Sequence, residues 1–237
     1  MVASASTRTK GRTQQAETPA STIAKWLCVA SGKGGNGKTS TSLNIAVFAA
    51  HAGLKVCMVD LDRQRTLGRW HERRDPAAPE VMLYVGTVPE VQQAISDIDA
   101  VDDIDLVIID TPPSLDEHPA EVALLLERSD FVLVPTTQGT ADLDSVIEWM
   151  ALLKRQGVKS AFLINRAQRN FATYRDARNR LVRVGNLCPV DIRQLEDVQR
   201  THTLGVGVLE MARSAAAEDY QGLWDYLRNQ LGMGISE

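Results

Sequence analysis

The sequence predicts an α/β fold, a doubly wound and mostly parallel sheet with helices on both faces. Six short apolar runs alternate with stretches of helical periodicity, and a glycine-rich turn joins the first run to the first such stretch. Uninterrupted apolar runs are typical of parallel strands that helices cover on both faces. The chain has 237 residues, 44% hydrophobic and 24% charged. This composition is that of a globular protein and excludes collagen-like and mostly disordered chains.

The six predicted strands are short and apolar, at residues 26–30, 56–59, 81–85, 106–109, 131–134 and 162–164. After the first strand, apolar residues recur with helical spacing from Leu43 to Ala50, and Gly53 is placed to end that helix. Further helices are predicted at 120–128 and 142–155. The last helix carries one apolar stripe, formed by Tyr220, Leu223, Trp224, Leu227 and Leu231.

Residues 1–24 are rich in Ser, Thr, Ala and Gln, and we expect a disordered tail there. Residues 25–237 are predicted to form a single domain. No run of 18 apolar residues occurs, and the N-terminus lacks the apolar segment of a secretory signal. The three cysteines are scattered without metal-type spacing. Cys28 and Cys57 stand in apolar runs and are interpreted as buried residues of a reducing compartment, which favours a cytoplasmic protein.

The turn after the first strand has the pattern of a phosphate-binding loop. It reads Gly32-Lys33-Gly34-Gly35-Asn36-Gly37-Lys38-Thr39 and fits G-x-x-x-x-G-K-[ST], the Walker A motif. Glycines let consecutive N–H groups point at phosphates, and the following helix adds its positive end. Lys38 can reach the terminal phosphates, while Thr39 offers a hydroxyl to Mg²⁺. We expect these residues and the adjoining Ser40 to bind the nucleotide.

Acidic residues end two of the other predicted strands. Asp60 and Asp62 follow the second strand, and Asp110 closes the fourth in the manner of a Walker B carboxylate. Ligands of such sheets bind beyond the carboxyl ends of the strands. The three strand ends therefore converge on one predicted nucleotide site.

Lys33 indicates a narrower class of phosphate loop than the Walker A motif alone, because ordinary phosphate loops do not require a lysine directly after the first glycine. The run from Lys33 to Thr39 resembles the deviant Walker A motif K-G-G-x-G-K-[ST] of the ParA/MinD ATPase family. Four further segments are similar to family motifs: Asp60-Leu61-Asp62-Arg63-Gln64, Asp110-Thr111-Pro112-Pro113, Asn165-Arg166, and Gly205-Val206-Gly207-Val208-Leu209-Glu210. The resemblance covers residues 25–231 and is strongest to the small ParA-type partition ATPases, although Asn36 and Arg63 replace the usual Val and Pro.

The resemblance implies an ATPase with ATP and Mg²⁺ as cofactors and slow basal turnover. Lys38 would neutralise the β- and γ-phosphates, and Lys33 would reach the partner subunit's nucleotide in an ATP-dependent homodimer. Thr39, Asp60 and Asp110 would hold Mg²⁺ and its waters. Asp62 would position or activate the attacking water. Asn165 would read the adenine edge, and Arg166 is a further candidate for nucleotide binding.

The basic residues are unevenly distributed, which bears on nucleic-acid binding. The net charge is −4, yet residues 151–200 contain 11 basic and 4 acidic residues. With the family resemblance, this stretch predicts non-specific contact with DNA phosphates and association with the nucleoid. The candidate arginines are Arg166, Arg169, Arg175, Arg178, Arg180, Arg183 and Arg193. The implied function is the positioning of a plasmid, chromosome or other cargo, with hydrolysis stimulated by a ParB-like or other adaptor protein.

Two alternatives remain open. A MinD-like ATPase that associates with membranes would need a basic amphipathic C-terminal helix, and the C-terminal segment here carries little positive charge. A metabolic P-loop enzyme of related fold is the other alternative, although a synthetase would not need Lys33. The histidines His51, His71, His118 and His202 form no metal or triad pattern and are interpreted as surface or helix-end residues.

Overall fold

The structure is a computed structural model that describes residues 23–113, 115 and 117–234. The tail predicted over residues 1–24 therefore lies, up to residue 22, outside the described residues. The assignment of residues 25–237 to a single domain stays a prediction.

The described strands and helices alternate as the apolar runs predict. The strands are β1 (Lys25–Val29), β2 (Val56–Asp60), β3 (Val81–Val85), β4 (Leu106–Asp110), β5 (Phe131–Thr136) and β6 (Ser160–Ile164). The helices are α1 (Lys38–His51), α2 (Thr66–His71), α3 (Val91–Asp99), α4 (Pro119–Arg128), α5 (Thr140–Arg155), α6 (Ala172–Val184), α7 (Glu196–Leu204) and α8 (Ala216–Gln230). Short 3-10 turns stand at Val88–Glu90 and Val208–Glu210.

The six strands form one sheet in the order β3-β2-β4-β1-β5-β6, and every pairing is parallel. The predicted fold class is confirmed. The chain leaves β1 toward β2 on one side and later places β5 on the other side, so the strand order reverses beside β1. In open α/β sheets such a reversal opens a crevice at the carboxyl ends of the strands, where ligands bind. The glycine-rich loop that follows β1 emerges at this crevice.

Two hydrophobic clusters cover the two faces of the sheet. Successive side chains of a strand point to opposite faces, so Leu27 packs into the cluster with α1 and α8, whereas Trp26 packs into the cluster with α3 to α6. The predicted apolar stripe of the last helix is buried in the first cluster, as its spacing predicts. The sheet is thus held rigidly between helices, and its carboxyl edge presents the loops.

All three cysteines are free and buried. Burial raises the pKa of the Cys28 thiol to about 12 and that of Cys57 to about 11, and it also raises the pKa of Cys188. The interpretation of Cys28 and Cys57 as buried apolar side chains is confirmed.

Candidate functional site

The loop between β1 and α1 has the backbone shape that its glycines allow. Gly35 and Gly37 have φ angles of 84° and 81°, in the left-handed region that residues with a Cβ rarely adopt. Gly37 is the N-cap of α1, which begins at Lys38. The unpaired N–H groups of the first helical turn therefore lie at the loop, where they favour an anion.

This loop forms one wall of a cleft of about 330 Å³ at the carboxyl edge of the sheet. The cleft brings together the phosphate loop, the segment after β2, the segment after β4 and residues from the last third of the chain. Its lining residues are Gly34, Gly35, Gly37, Lys38, Thr39, Ser40, Asp62, Gln64, Thr66, Thr111, Pro113, Arg166 and His202. Gln64, Thr66, Thr111, Pro113 and His202 are additions that the sequence analysis did not assign to the site.

Lys38 lines the cleft, and the buried carboxylate of Asp110 lies close by, bonded to residues of α1. Lys38 is only 7% exposed, and its Nζ donates to the carbonyl oxygen of Lys33 at 3.2 Å. Asp110 accepts hydrogen bonds from the hydroxyls of Thr39 at 2.7 Å and Ser42 at 3.1 Å. Burial raises the pKa of Asp110 to about 7, although these hydroxyls and the charge of Lys38 oppose the shift. Burial also lowers the pKa of Lys38, against the nearby negative charges of Asp110 and Asp62.

The two acids after β2 take different positions. Asp60 is buried, and its carboxylate accepts the backbone N–H groups of Asp62 at 3.1 Å and Gly68 at 3.0 Å. It thereby ties the start of α2 to the end of β2. Asp62 lines the cleft, half-buried, and accepts the N–H of Gln64 at 2.9 Å. Of the two, Asp62 is the one whose carboxylate is open to a ligand of the cleft.

Lys33 does not line this cleft, although it belongs to the same loop. Its Nζ forms an ion pair with Asp142 Oδ1 at 2.8 Å, in the first turn of α5. Burial pushes the pKa of Asp142 upward, but hydrogen bonds from Lys33 and Thr137 outweigh that effect and leave the pKa lowered. The Lys33 side chain remains about half exposed. Its ammonium group therefore faces outward, away from the phosphate cradle of its own chain.

Asn165 lies beneath the phosphate loop. Its Nδ2 is within 3.2 to 3.4 Å of the carbonyl oxygens of Asn36 and Gly37 and of the Thr41 hydroxyl, and its Oδ1 accepts the N–H of Arg166. In this structure the amide of Asn165 therefore supports the loop from below, and its reading of an adenine edge stays a prediction. Arg166 is exposed at the cleft.

Two other loop residues are placed away from the cleft lining. The Asn36 side chain is buried, and neither its oxygen nor its nitrogen has a hydrogen-bond partner among the described residues. Gly32 packs closely on α5, where an added Cβ would lie 2.7 Å from the Ser145 hydroxyl. These two positions shape the loop, and the structure gives them no direct approach to a ligand in the cleft.

His202 lies in the last turn of α7, as the interpretation of a helix-end residue has it, but it also belongs to the site. His202 lies on α7, is half-buried and lines the cleft, with its Nε2 2.8 Å from the Ser40 hydroxyl oxygen. No local pattern could reveal this contact, because 162 positions separate the two residues along the chain. By contrast, His51 is exposed and pairs with Glu210 at the far end of α1.

The seven candidate arginines divide into two groups. Four of them form ion pairs with carboxylates of their own chain: Arg169 and Arg178 with Asp191, Arg180 with Asp144, and Arg193 with Asp219. Among the described residues no such pair is formed by Arg166, Arg175 or Arg183, and all three are exposed. The positive charge available to a partner is therefore smaller than the sequence count indicates.

The cleft fits a nucleotide with Mg²⁺. It offers a glycine cradle, a buried ammonium group and a hydroxyl that is already bonded to a carboxylate. Across residues 23–113, 115 and 117–234, no group of three or more His, Cys, Asp or Glu side chains could by itself hold a metal ion. Mg²⁺ in nucleotide sites takes one or two protein ligands and completes its shell with water and phosphate. In the same part of the chain, no helix has the length and apolar character that a membrane span requires.

Comparison with known proteins supports the same conclusion. Residues 27–206 match the model of the CobQ/CobB/MinD/ParA nucleotide binding domain. The solved structure of the septum site-determining protein MinD from Pyrococcus horikoshii, in complex with Mg-ADP, superposes with a TM-score of 0.71. That likeness covers 91% of this chain and 100% of the other at 17% identity, and it shows the shared fold.

Two curated relatives are named maintenance of carboxysome distribution protein A. The chain is 35% identical to the protein from Gloeobacter kilaueensis over 130 residues, which are 55% of this chain and 57% of that one. It is 30% identical to the protein from Halothiobacillus neapolitanus over 209 residues, 84% of this chain and 94% of the other. With the domain match and the deviant loop built around Lys33, these findings show that the chain belongs to the ParA/MinD family of P-loop ATPases.

Proposed function

We propose that this protein is an ATP hydrolase that forms an ATP-dependent homodimer, binds DNA non-specifically and positions a cargo along it. ATP binding with Mg²⁺ would close the dimer, and hydrolysis, stimulated by an adaptor protein, would reopen it. The carboxysome-distribution relatives support a positioning role. The cargo would be a plasmid, a chromosome or a protein assembly, and the place of action the cytoplasm at the nucleoid.

The observation that carries the proposal is the position of Lys33. An ammonium group that neutralised the phosphates of its own chain would have to lie in the cleft, as Lys38 does. Lys33 instead points outward, and a single ion pair with Asp142 holds it near the surface. In this pair the Lys33 side chain is 47% exposed and that of Asp142 19%, and ion pairs that solvent reaches contribute little, about 0 to 1 kcal/mol. Lys33 can therefore leave Asp142 at small cost and serve a nucleotide held by a second subunit.

In this arrangement the residues of the Walker motifs and of the segment after β2 have separate roles. Lys38 would bind the terminal phosphates, and Thr39 with Asp110 would hold Mg²⁺ and its waters. Asp60 fixes the adjoining loop. Asp62 accepts a hydrogen bond from the attacking water and orients it toward the terminal phosphorus. When bound, Mg²⁺ supplies charge neutralisation for the phosphates. The dimer contributes a further positive charge, from Lys33, only in its closed state, so ATP acts as the link between subunits.

The exposed arginines of α6 are the candidates for the DNA contact. Arg175 and Arg183 lie on the same helix, two turns apart, and are exposed. Arg180 lies between them but is engaged by Asp144. Binding to phosphates requires only that guanidinium groups reach the backbone, and a dimer presents each of these groups twice. Arg175 and Arg183 can therefore be replaced to test DNA binding, with Arg180 as the matched control.

We expect the wild-type protein to bind a random-sequence DNA duplex with ATP but not with ADP, and more weakly as salt rises. The combined change Arg175→Ala and Arg183→Ala should weaken this binding about tenfold or more. It should also make the slope of log K against log salt concentration less steep, by about 0.9 for each DNA phosphate that the protein no longer neutralises. The measurement is fluorescence anisotropy of a labelled duplex at several salt concentrations.

Arg180→Ala is the matched control and should leave both the affinity and the salt slope nearly unchanged. If Arg180→Ala lost as much DNA affinity as the double variant, the assignment of the DNA contact to Arg175 and Arg183 would be wrong. Binding that is the same with ATP and ADP would contradict the proposed nucleotide control of DNA binding.

A further inference from the structure

His202 connects the last third of the chain to the phosphate loop. It lies on α7, and its Nε2 is 2.8 Å from the hydroxyl oxygen of Ser40, the residue that follows Thr39 in the first turn of α1. Both residues line the cleft. A histidine at this place is not part of the Walker A pattern or of any motif that assigned the family.

The backbone of Ser40 is fixed independently of His202. Its carbonyl oxygen accepts a hydrogen bond from Asn44 Nδ2 at 2.7 Å, and the Tyr220 hydroxyl stands 3.5 Å from the same oxygen. Tyr220 is buried in the core, so this anchor is rigid. What remains free at Ser40 is the direction of its hydroxyl hydrogen, and the one side chain that contacts this hydroxyl among the described residues is His202.

The surroundings of His202 determine which ring nitrogen carries the hydrogen. Burial lowers the pKa of His202, so the imidazole is neutral near pH 7. Its Nδ1 is shielded from solvent and has no hydrogen-bond partner among the described residues. Orphaned buried N–H groups are rarer in proteins than acceptors that lack a partner. The hydrogen therefore belongs on Nε2, which donates to Ser40, and the Ser40 hydroxyl keeps its own hydrogen for another acceptor.

We propose that His202 is a positioning residue of the nucleotide site, which donates from Nε2 to Ser40 Oγ and turns the Ser40 hydroxyl hydrogen toward the phosphate oxygens in the cleft. The inference rests on the proposed binding of ATP. Ser40 stands where the N–H groups of the first turn of α1 already favour phosphate. A hydroxyl preset in this direction adds one donor to the cradle without loss of rotational freedom on binding.

The test is a titration of the full chain with a fluorescent ATP analogue and Mg²⁺. His202→Phe fills a similar volume without a donor and should weaken binding about five- to tenfold, the range expected when one hydrogen bond is removed. His202→Gln keeps an N–H near the position of Nε2 and should restore most of the affinity. Ser40→Ala should weaken binding by a similar factor, and the double variant should be no weaker than Ser40→Ala alone.

His51→Phe is the matched control, because His51 lies at the other end of α1, and its affinity should equal that of the wild type. The ¹⁵N shifts of His202 in the wild-type protein give a second readout, independent of any variant, and should show the tautomer with hydrogen on Nε2. The inference is overturned by hydrogen on Nδ1, by wild-type affinity in His202→Phe, or by additive effects in the double variant. A wild-type chain that binds no nucleotide would instead overturn the proposed function, and this inference with it.

Discussion

Replacing Lys38 by alanine is expected to reduce nucleotide binding and ATP turnover by a factor of about a hundred or more, the scale of losing one preorganised charge in a water-poor site. Lys38 is a buried cation that lines the cleft, and among residues 23–113, 115 and 117–234 its Nζ donates to the Lys33 carbonyl oxygen alone. That ammonium group is therefore available to phosphate. Without it, the negative phosphates would meet Asp110 and Asp62 uncompensated.

Isothermal titration calorimetry of Lys38→Ala with ATP and with ADP measures the loss of binding, and a phosphate-release assay measures the loss of turnover. Lys55→Ala is the control, because Lys55 is exposed and pairs with Asp103 away from the cleft. Its binding and turnover should equal those of the wild type. Nucleotide affinity in Lys38→Ala close to that of the wild type would contradict the assignment of the cleft to phosphate.

Replacing Lys33 by alanine is expected to abolish the ATP-dependent dimer while the protein still binds nucleotide. Lys33 lies outside the cleft lining, so its replacement removes no direct interaction with the nucleotide of the same chain. The closed dimer, however, would face two sets of phosphates without the added positive charge. Sedimentation velocity with a hydrolysis-resistant ATP analogue measures the dimer, and a nucleotide titration of the same sample measures binding.

Asp142→Asn is the informative companion to Lys33→Ala. The asparagine can still accept the Thr137 hydroxyl, but it carries no charge to hold Lys33. We expect the dimer to form at an ATP concentration equal to or lower than in the wild type. If both variants lost the dimer equally, the Lys33–Asp142 ion pair would be a structural part of the interface rather than a resting place for Lys33.

Much of the fold could be predicted from the sequence, because each strand is a continuous apolar run. The predicted bounds of β3 are those of the structure. The predicted end of β5 at residue 134 is two residues short, since Pro135 suggests a strand end. The strand continues to Thr136 because β6 pairs with it that far. On the other side, β1 pairs with β5 only as far as Leu133. Pro135 therefore lies where one neighbour no longer needs its missing N–H.

The site could be predicted only where it follows a local pattern. The phosphate loop, Asp62 and Asp110 belong to short motifs with a chemical reason for each residue. Much of the loop and Asp62 line one cleft, and Asp110 is joined to it by the hydroxyl of Thr39. The support of the loop by Asn165 and the contact of Ser40 with His202 join residues more than 100 positions apart. The ion pairs of the four arginines likewise join residues that are 13 or more positions apart, so the sequence overstates the free positive charge.

The burial of all three cysteines determines how this protein can be labelled with a fluorescent dye. Cys28, Cys57 and Cys188 are closed to solvent, and burial holds the pKa of each thiol above its ordinary range. Maleimide dyes react with exposed thiolates, so the folded chain presents no native target. One cysteine introduced on the surface would carry a single dye without removal of the natural three. The proposed DNA binding could then be followed one protein at a time on a stretched DNA molecule, in a background free of nonspecific label.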